Sequence, residues 1–372
     1  MGKGGAVDEA DHNSQPPQII TPCMYPLFRS FLFKLDPETA HHLTLQSVRL
    51  AGVLPPSRWF LQALFHAPEK PVEVFGLKFK NPVGLAAGYD KDGIAVRGLA
   101  TLGFGHLEIG TVTARPQPGN PRPRVFRLVE DQAVINRMGF PGQGAEFAAV
   151  HLQSALHGRR SQGVSGRSNL PIIGVNVGKN KETPLEEAAN DYVALMKSFS
   201  GLADYLVINI SSPNTVGLRR LQGREMLENL LGAIAKERRT SALSSGGRTP
   251  ILVKLAPDLS DDELEDALDV ILRSGMDGVI ATNTTLGRAG LHSLHQGESG
   301  GLSGGPLRAR SEAVLAQVLK GLDGRLPVIS AGGIMRPEDA KRRLEMGAAL
   351  VQVYTGLIYA GPGLVQKIIR AV

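Results

Sequence analysis

A single cysteine, Cys23, in 372 residues leaves no intrachain disulfide possible and points to a reducing compartment. No motif surrounds Cys23, and it reads as inert. Runs of like charge are missing, so no nucleic-acid partner is expected. The 41 Lys plus Arg exceed the 35 Asp plus Glu by only six. That mild excess suits an anionic substrate or an anionic membrane surface, and equally a plain basic soluble protein. No secretory signal opens the chain, and Asp8, Glu9 and Asp11 are unlike an acid-poor transit peptide. One uncharged stretch, Gly347 to Gln366, has the length of a membrane span. Gly356, Gly361, Pro362 and Gly363 interrupt it, and it reads as a buried strand followed by a loop. No His or Cys cluster has metal-ligand spacing, so no metal is expected. No carboxylate pair suits glycosidase chemistry.

What is present is a regular succession of apolar strands, at 82–86, 106–110, 172–177, 205–210, 251–255, 278–282, 327–331 and 349–354. Most are separated by helix-length stretches such as 260–274, with Ser260 as cap. Eight strands alternating with helices predict an α/β fold, a closed (βα)8 TIM barrel with an N-terminal helical extension. An open doubly wound sheet is disfavoured because no G-x-G-x-x-G follows the first strand. Residues 1–23 read as a disordered segment. Residues 24–70 form the extension, with two amphipathic helices in 24–53; Asp36 and Pro37 start the second. Residues 71–372 form the barrel domain, opened by a hairpin at 72–80. The long connection after the second strand is patterned in its first half and, over 156–170, Ser/Gly/Arg-rich and flexible.

Chemistry in such a barrel sits at the C-terminal ends of the strands. Those positions hold Ala87, Gly88, Lys91, Thr111, Asn176, Asn209, Ser211, Ser212, Asn214, Thr215, Lys254, Thr282, Asn283, Thr284, Gly333, Tyr354 and Thr355. Neutral amides and hydroxyls dominate. They suit a planar heterocycle rich in donors and acceptors, such as a flavin or a pyrimidine. The glycines of SAGGI (330–334), VYTG (353–356) and SGG (303–305) suit phosphate binding, or merely tight turns. A lysine inside a strand, Lys254, is costly unless its charge is used. It either pairs with a buried carboxylate or stabilises an anionic reduced cofactor ring.

Ten segments, in order, carry a resemblance: NPVGLAAGYDKDG (81–93), EIGTVT (108–113), GNPRPRVFRL (119–128), INRMGF (135–140), GVNVGKNK (174–181), DYLVINISSPNT (204–215), LVKLAPDL (252–259), TNTT (282–285), GGLSGGPL (300–307) and LVQVYTG (350–356). The chain resembles dihydroorotate dehydrogenases over residues 81 to about 360. The resemblance implies oxidation of dihydroorotate to orotate with bound FMN, in pyrimidine biosynthesis. Ser212, where cytosolic members carry cysteine, marks the class 2, quinone-dependent kind, and LDPETAH (35–41) matches its helical extension.

By the same resemblance Ser212 is the catalytic base, helped by Thr215 and a water, with Phe140 as screen. Lys91, Asn136, Arg137, Met138, Gly139, Phe140, Asn209, Asn214, Asn283 and Thr284 bind substrate. Ala87, Gly88, Lys91, Thr111, Asn136, Asn176, Asn209, Lys254, Thr282, Ser303, Gly304, Gly333, Tyr354 and Thr355 bind FMN. His41, Arg127 and Tyr354 line a quinone tunnel. The expected acceptor is ubiquinone or menaquinone, met by a monomer bound peripherally to the cytoplasmic face of an inner membrane. A flavin-free phosphate-binding lyase, a binding protein without activity, and a soluble enzyme reducing fumarate or nicotinamide are the competing readings.

Overall fold

The computed structural model describes residues 24–157, 170–245 and 248–372. The expected disordered segment 1–23, with Cys23, lies outside the described residues, as does most of the flexible stretch 156–170.

Three helices come first: α1 (Met24–Leu32), α2 (Pro37–Val53) and α3 (Pro55–Leu64). The Asp36 carboxylate accepts from the N–H groups of Glu38 and Thr39, and so caps α2 at the expected place. The third helix was not expected. Its two prolines occupy the first turn, where a missing N–H costs nothing. A hairpin of β1 (Val72–Val74) and β2 (Leu77–Phe79) follows. Val74 and Phe79 pack against Tyr205, Leu252, Ile280 and Leu350 and plug the N-terminal end of the barrel.

The remaining elements run β3 (Val83–Leu85), α4 (Val96–Leu99), β4 (His106–Val112), β5 (Val125–Leu128), β6 (Ala133–Asn136), α5 (Gly144–Leu156), β7 (Ile172–Val177), α6 (Ala188–Phe199), β8 (Tyr205–Asn209), α7 (Arg224–Ser245), β9 (Ile251–Leu255), α8 (Asp261–Arg273), β10 (Gly278–Ala281), β11 (Gly301–Gly304), α9 (Arg308–Leu322), β12 (Val328–Ala331), α10 (Pro337–Glu345), β13 (Leu350–Val353), α11 (Thr355–Ala360) and α12 (Gly363–Ala371). Eight of these strands close a parallel barrel in the order β3-β4-β7-β8-β9-β10-β12-β13, and β13 pairs back to β3. All eight fall within two residues of the expected spans. Ser260 caps α8 in a capping box with Glu263.

Two features depart from expectation. The stretch after β13 is not a loop but two helices, with Gly361 at φ +80° in the break between them. The aromatic ring of Tyr25, on α1, occupies the space a side chain at Gly361 would need. Strands β5 and β6 also pair with β11 into an antiparallel sheet at the barrel mouth. The extension is anchored beside it by a crossing of α2 over α4 through glycines. A Cβ at Gly98 would meet Val48 O at 1.9 Å, and one at Gly52 would meet Gly98 N at 2.3 Å, so only glycine lets the two backbones touch.

Candidate active site

A cavity of about 680 Å³ runs from the barrel mouth, past the sheet of β5, β6 and β11, to the underside of α1 and α2. Its floor is a buried polar network. On β4, Glu108 accepts from Lys254 Nζ at 3.2 Å, Asn176 Nδ2 at 2.7 Å and Gln352 Nε2 at 2.6 Å. Asn176 Oδ1 in turn accepts from the Thr111 hydroxyl at 2.6 Å and from Asn209 Nδ2 at 3.1 Å. Five barrel strands therefore hold one another's side chains in fixed orientations. Lys254 has the carboxylate partner expected of a buried lysine, and it also lines the cavity.

Beside the floor lies the loop after β8. Ser212 is buried, lines the cavity and accepts from Asn214 N at 3.2 Å. Asn214 Nδ2 donates to Asn136 Oδ1 at 3.1 Å. Asn283 Nδ2 donates to Ser211 Oγ at 2.9 Å, and Asn209 Oδ1 accepts from the same hydroxyl at 3.0 Å. Arg219 straps the loop by donating to Ser211 O at 3.0 Å and Thr284 O at 2.9 Å, braced by Asp258 at 2.7 Å. Thr215 is buried behind the cavity wall with its hydroxyl unpaired among the described residues, a place where a water would find a partner. Lys91 Nζ donates to Gly88 O at 2.9 Å, and burial holds its ammonium below the ordinary lysine range.

At a third side, Ser303, Gly304, Gly333 and Thr355 meet. The Thr355 hydroxyl donates to Ser303 Oγ at 2.8 Å. Tyr354 donates to Gly88 O at 3.4 Å and begins a file of rings that leads outward. Tyr89 stands 6.2 Å from Tyr354, and His41 stands 5.0 Å from Tyr89, both edge to face. Burial holds the His41 imidazole down at about 3, so the ring is neutral at physiological pH. Arg127 caps the end of α1 by donating to the carbonyls of Leu32, Phe33 and Leu35, and its guanidinium stacks on Phe33 at 4.8 Å.

Besides Thr215, which lies behind it, every expected site residue lies on the cavity wall except two. Asn176 sits directly beneath it in the network just described. Arg137 turns away, pairing with Glu298 at 2.6 Å over the Phe126 ring. Side chains alternate along a strand, and β6 ends at Asn136, so facing Asn136 inward sends its neighbour outward. Sequence reasoning missed Glu108, Gln352, Tyr89 and Arg219. Glu108 had a usable signal, a charge inside an apolar strand like that of Lys254. Replacing Glu108 by glutamine strands the Lys254 charge, and chemical denaturation is expected to show a loss of about 3 kcal/mol. Adding Lys254→Met should recover most of it; equal stability of the single variant and the parent would refute the pairing.

The donor set fits a flavin. Neutral amides and a lysine surround the floor, while hydroxyls and left-handed glycines, Gly304 at φ +100° and Gly333 at φ +73°, open backbone N–H groups at the far side. Barrel, mouth and cavity together define a (βα)8-barrel enzyme that holds an elongated ring compound. The profile of the dihydroorotate dehydrogenase family matches residues 70–372. A dihydroorotate dehydrogenase (quinone) of Halorhodospira halophila is 49% identical over 352 residues, covering 94% of this chain and 97% of that protein. That of Azotobacter vinelandii is 47% identical, covering 94% and 96%. The Eimeria tenella enzyme crystallised in complex with ferulenol is 39% identical, with a TM-score of 0.81 over 90% of each chain. The chain belongs to the dihydroorotate dehydrogenase family.

Proposed function

We propose that this chain oxidises (S)-dihydroorotate to orotate for pyrimidine synthesis, with FMN as hydride acceptor and a membrane quinone as final electron acceptor. The observation that carries the reading is one continuous cavity, with Ser212 and its asparagines at one end and the ring file under α1 and α2 at the other. FMN, which Ala87, Lys254, Ser303 and Gly333 would hold among others, would supply the hydride acceptor for C6 of the substrate and the electron donor for the quinone. Ser212 Oγ takes the proton from C5. A serine hydroxyl is a weak base, and the buried Thr215 hydroxyl with a water offers the route by which that proton leaves. Asn136, Asn209, Asn214 and Asn283 present paired donors and acceptors to the pyrimidine ring, and Lys91 meets its carboxylate. Phe140, at φ +53°, closes the wall against water.

The extension supports attachment to a membrane surface. Leu27, Phe28 and Phe31 of α1 and Trp59 and Phe60 of α3 are exposed, and among the described residues no helix is long and apolar enough to cross a bilayer.

Anaerobic mixing with dihydroorotate is expected to bleach the flavin absorbance. Quinone should then restore it, while fumarate and NAD should not. Restoration by fumarate or NAD alone would overturn the quinone assignment, and failure to bleach would overturn the substrate.

A further inference from the structure

Arg343 is the bulkiest side chain with no exposure in the described structure, at 0%. It lies on α10, outside the barrel wall, and is not among the residues assigned above. Burying a guanidinium is costly unless its donors are used. Here Nη2 is shared among Gly332 O at 3.2 Å, Arg308 O at 3.0 Å and Ser311 Oγ at 2.7 Å, and Nη1 reaches Ser330 Oγ at 3.4 Å. Nε has no hydrogen-bond partner among the described residues, and the nearest carboxylate oxygen, Glu312 Oε1, is 3.6 Å away. Burial lowers this guanidinium only to about 10, so it stays charged at neutral pH. The cation is thus incompletely neutralised and faces the loop after β12.

That loop has no conformational slack. Gly332 and Gly333 have φ of +103° and +73°, and a Cβ at Gly333 would lie 2.4 Å from Arg308 Cα. Gly332 O accepts from Arg343 and also from the Ser311 hydroxyl at 2.8 Å. In a trans peptide the C=O and N–H point in opposite directions. Pinning the carbonyl of Gly332 towards α9 and α10 therefore turns the N–H of Gly333 the other way. Gly332, Gly333 and Ile334 line the cavity, and neither a carbonyl nor a side chain among the described residues accepts from the N–H of Gly333.

We propose that Arg343 is a positioning residue for the phosphate end of the cofactor: with Ser311 it aims the Gly333 N–H into the cavity and sets positive charge behind that peptide. An anion there meets an oriented donor, with a buried cation one peptide away whose only ion pair among the described residues is the 3.6 Å approach of Glu312. The inference rests on the flavin reading and adds to it a residue that touches neither cofactor nor substrate.

The test compares FMN with riboflavin, which has the same ring and ribityl chain but no phosphate, on the full-length chain. The parent should retain FMN far longer than riboflavin. Arg343→Met should release FMN about tenfold faster, equivalent to about 1.4 kcal/mol, and leave riboflavin release unchanged. Arg343→Lys should recover part of the difference. Ser311→Ala, which keeps the charge and removes one donor, should show the same selectivity at smaller size, and it carries the test if Arg343→Met does not fold. Equal acceleration for both flavins would mean a packing role and would overturn the proposal, as would no change in either. A parent that does not discriminate between the flavins would instead overturn the phosphate assignment beneath it.

Discussion

Ser212→Ala is expected to slow flavin reduction by dihydroorotate about a hundred- to ten-thousand-fold, the usual worth of a positioned base, while the flavin stays bound. The expectation follows from where the hydroxyl lies. Ser212 is buried on the cavity wall, and its oxygen is held by Asn214 N at 3.2 Å. That bond fills one lone pair and leaves the other free to meet a substrate proton. Asn136 and Asn283 stand on other strands, and the side chains of Asn214 and Asn283 keep their own partners, Asn136 and Ser211, when the hydroxyl is lost. Substrate affinity should therefore change much less than the rate, by a few-fold at most for one neutral hydrogen bond. Stopped-flow reduction at saturating dihydroorotate separates the two. A variant that reduces at the parent's rate would remove Ser212 from the chemistry.

Removing residues 1–64 should cut turnover with quinone more than about a hundredfold, the equivalent of some 2.8 kcal/mol of lost binding, and change flavin reduction only a few-fold. The outer part of the cavity is walled by α1 and α2, including Phe28, Leu32, His41, Leu43 and Val48. The inner part is walled by barrel strands and by the sheet of β5, β6 and β11. One of the ties between the two reaches the loop that carries Ser212. Glu38 on α2 pairs with Arg124 at 2.6 Å, Arg124 Nη1 donates to Asn120 O at 2.9 Å, and Asn120 Nδ2 donates to Asn214 O at 3.0 Å. A small effect on the reductive step is expected through that tie, and Glu38→Gln in the intact chain should reproduce it alone. Parallel loss of both half-reactions on truncation would make the extension a lid on the barrel and not an acceptor site.

Local pattern made the barrel legible. Each strand is a short apolar run, and the helix caps at Asp36 and Ser260 are set by neighbouring residues alone. Pairings distant in sequence were not legible. Nothing near Ala133 announces that it will lie opposite Gly304, so the sheet at the mouth went unseen. Helices α11 and α12 were hidden by the glycines and proline at their junction, because burial against the barrel and α1 supplies what propensity does not. At the site, motif resemblance brought the polar inner wall of the cavity into view but little of its apolar lining, such as Phe28, Leu43 and Val48. It failed at Arg137, where a contiguous motif ignores strand alternation. It also left out supporting residues such as Glu108 and Arg343, whose role depends on what they face across the fold and not on their neighbours in the chain.

The crossing of α2 over α4 bears on the route beneath the extension. At Gly52 and Gly98 main chain rests on main chain, with no side chain in between to shrink, swell or change rotamer. The clearance between extension and barrel is therefore dictated at a hinge outside the passage. Sequence drift along the walls can remodel the lining, and so the choice of guest, without altering the bore. One added methyl at either glycine would do the reverse, prising the roof upward and leaving every lining residue unchanged.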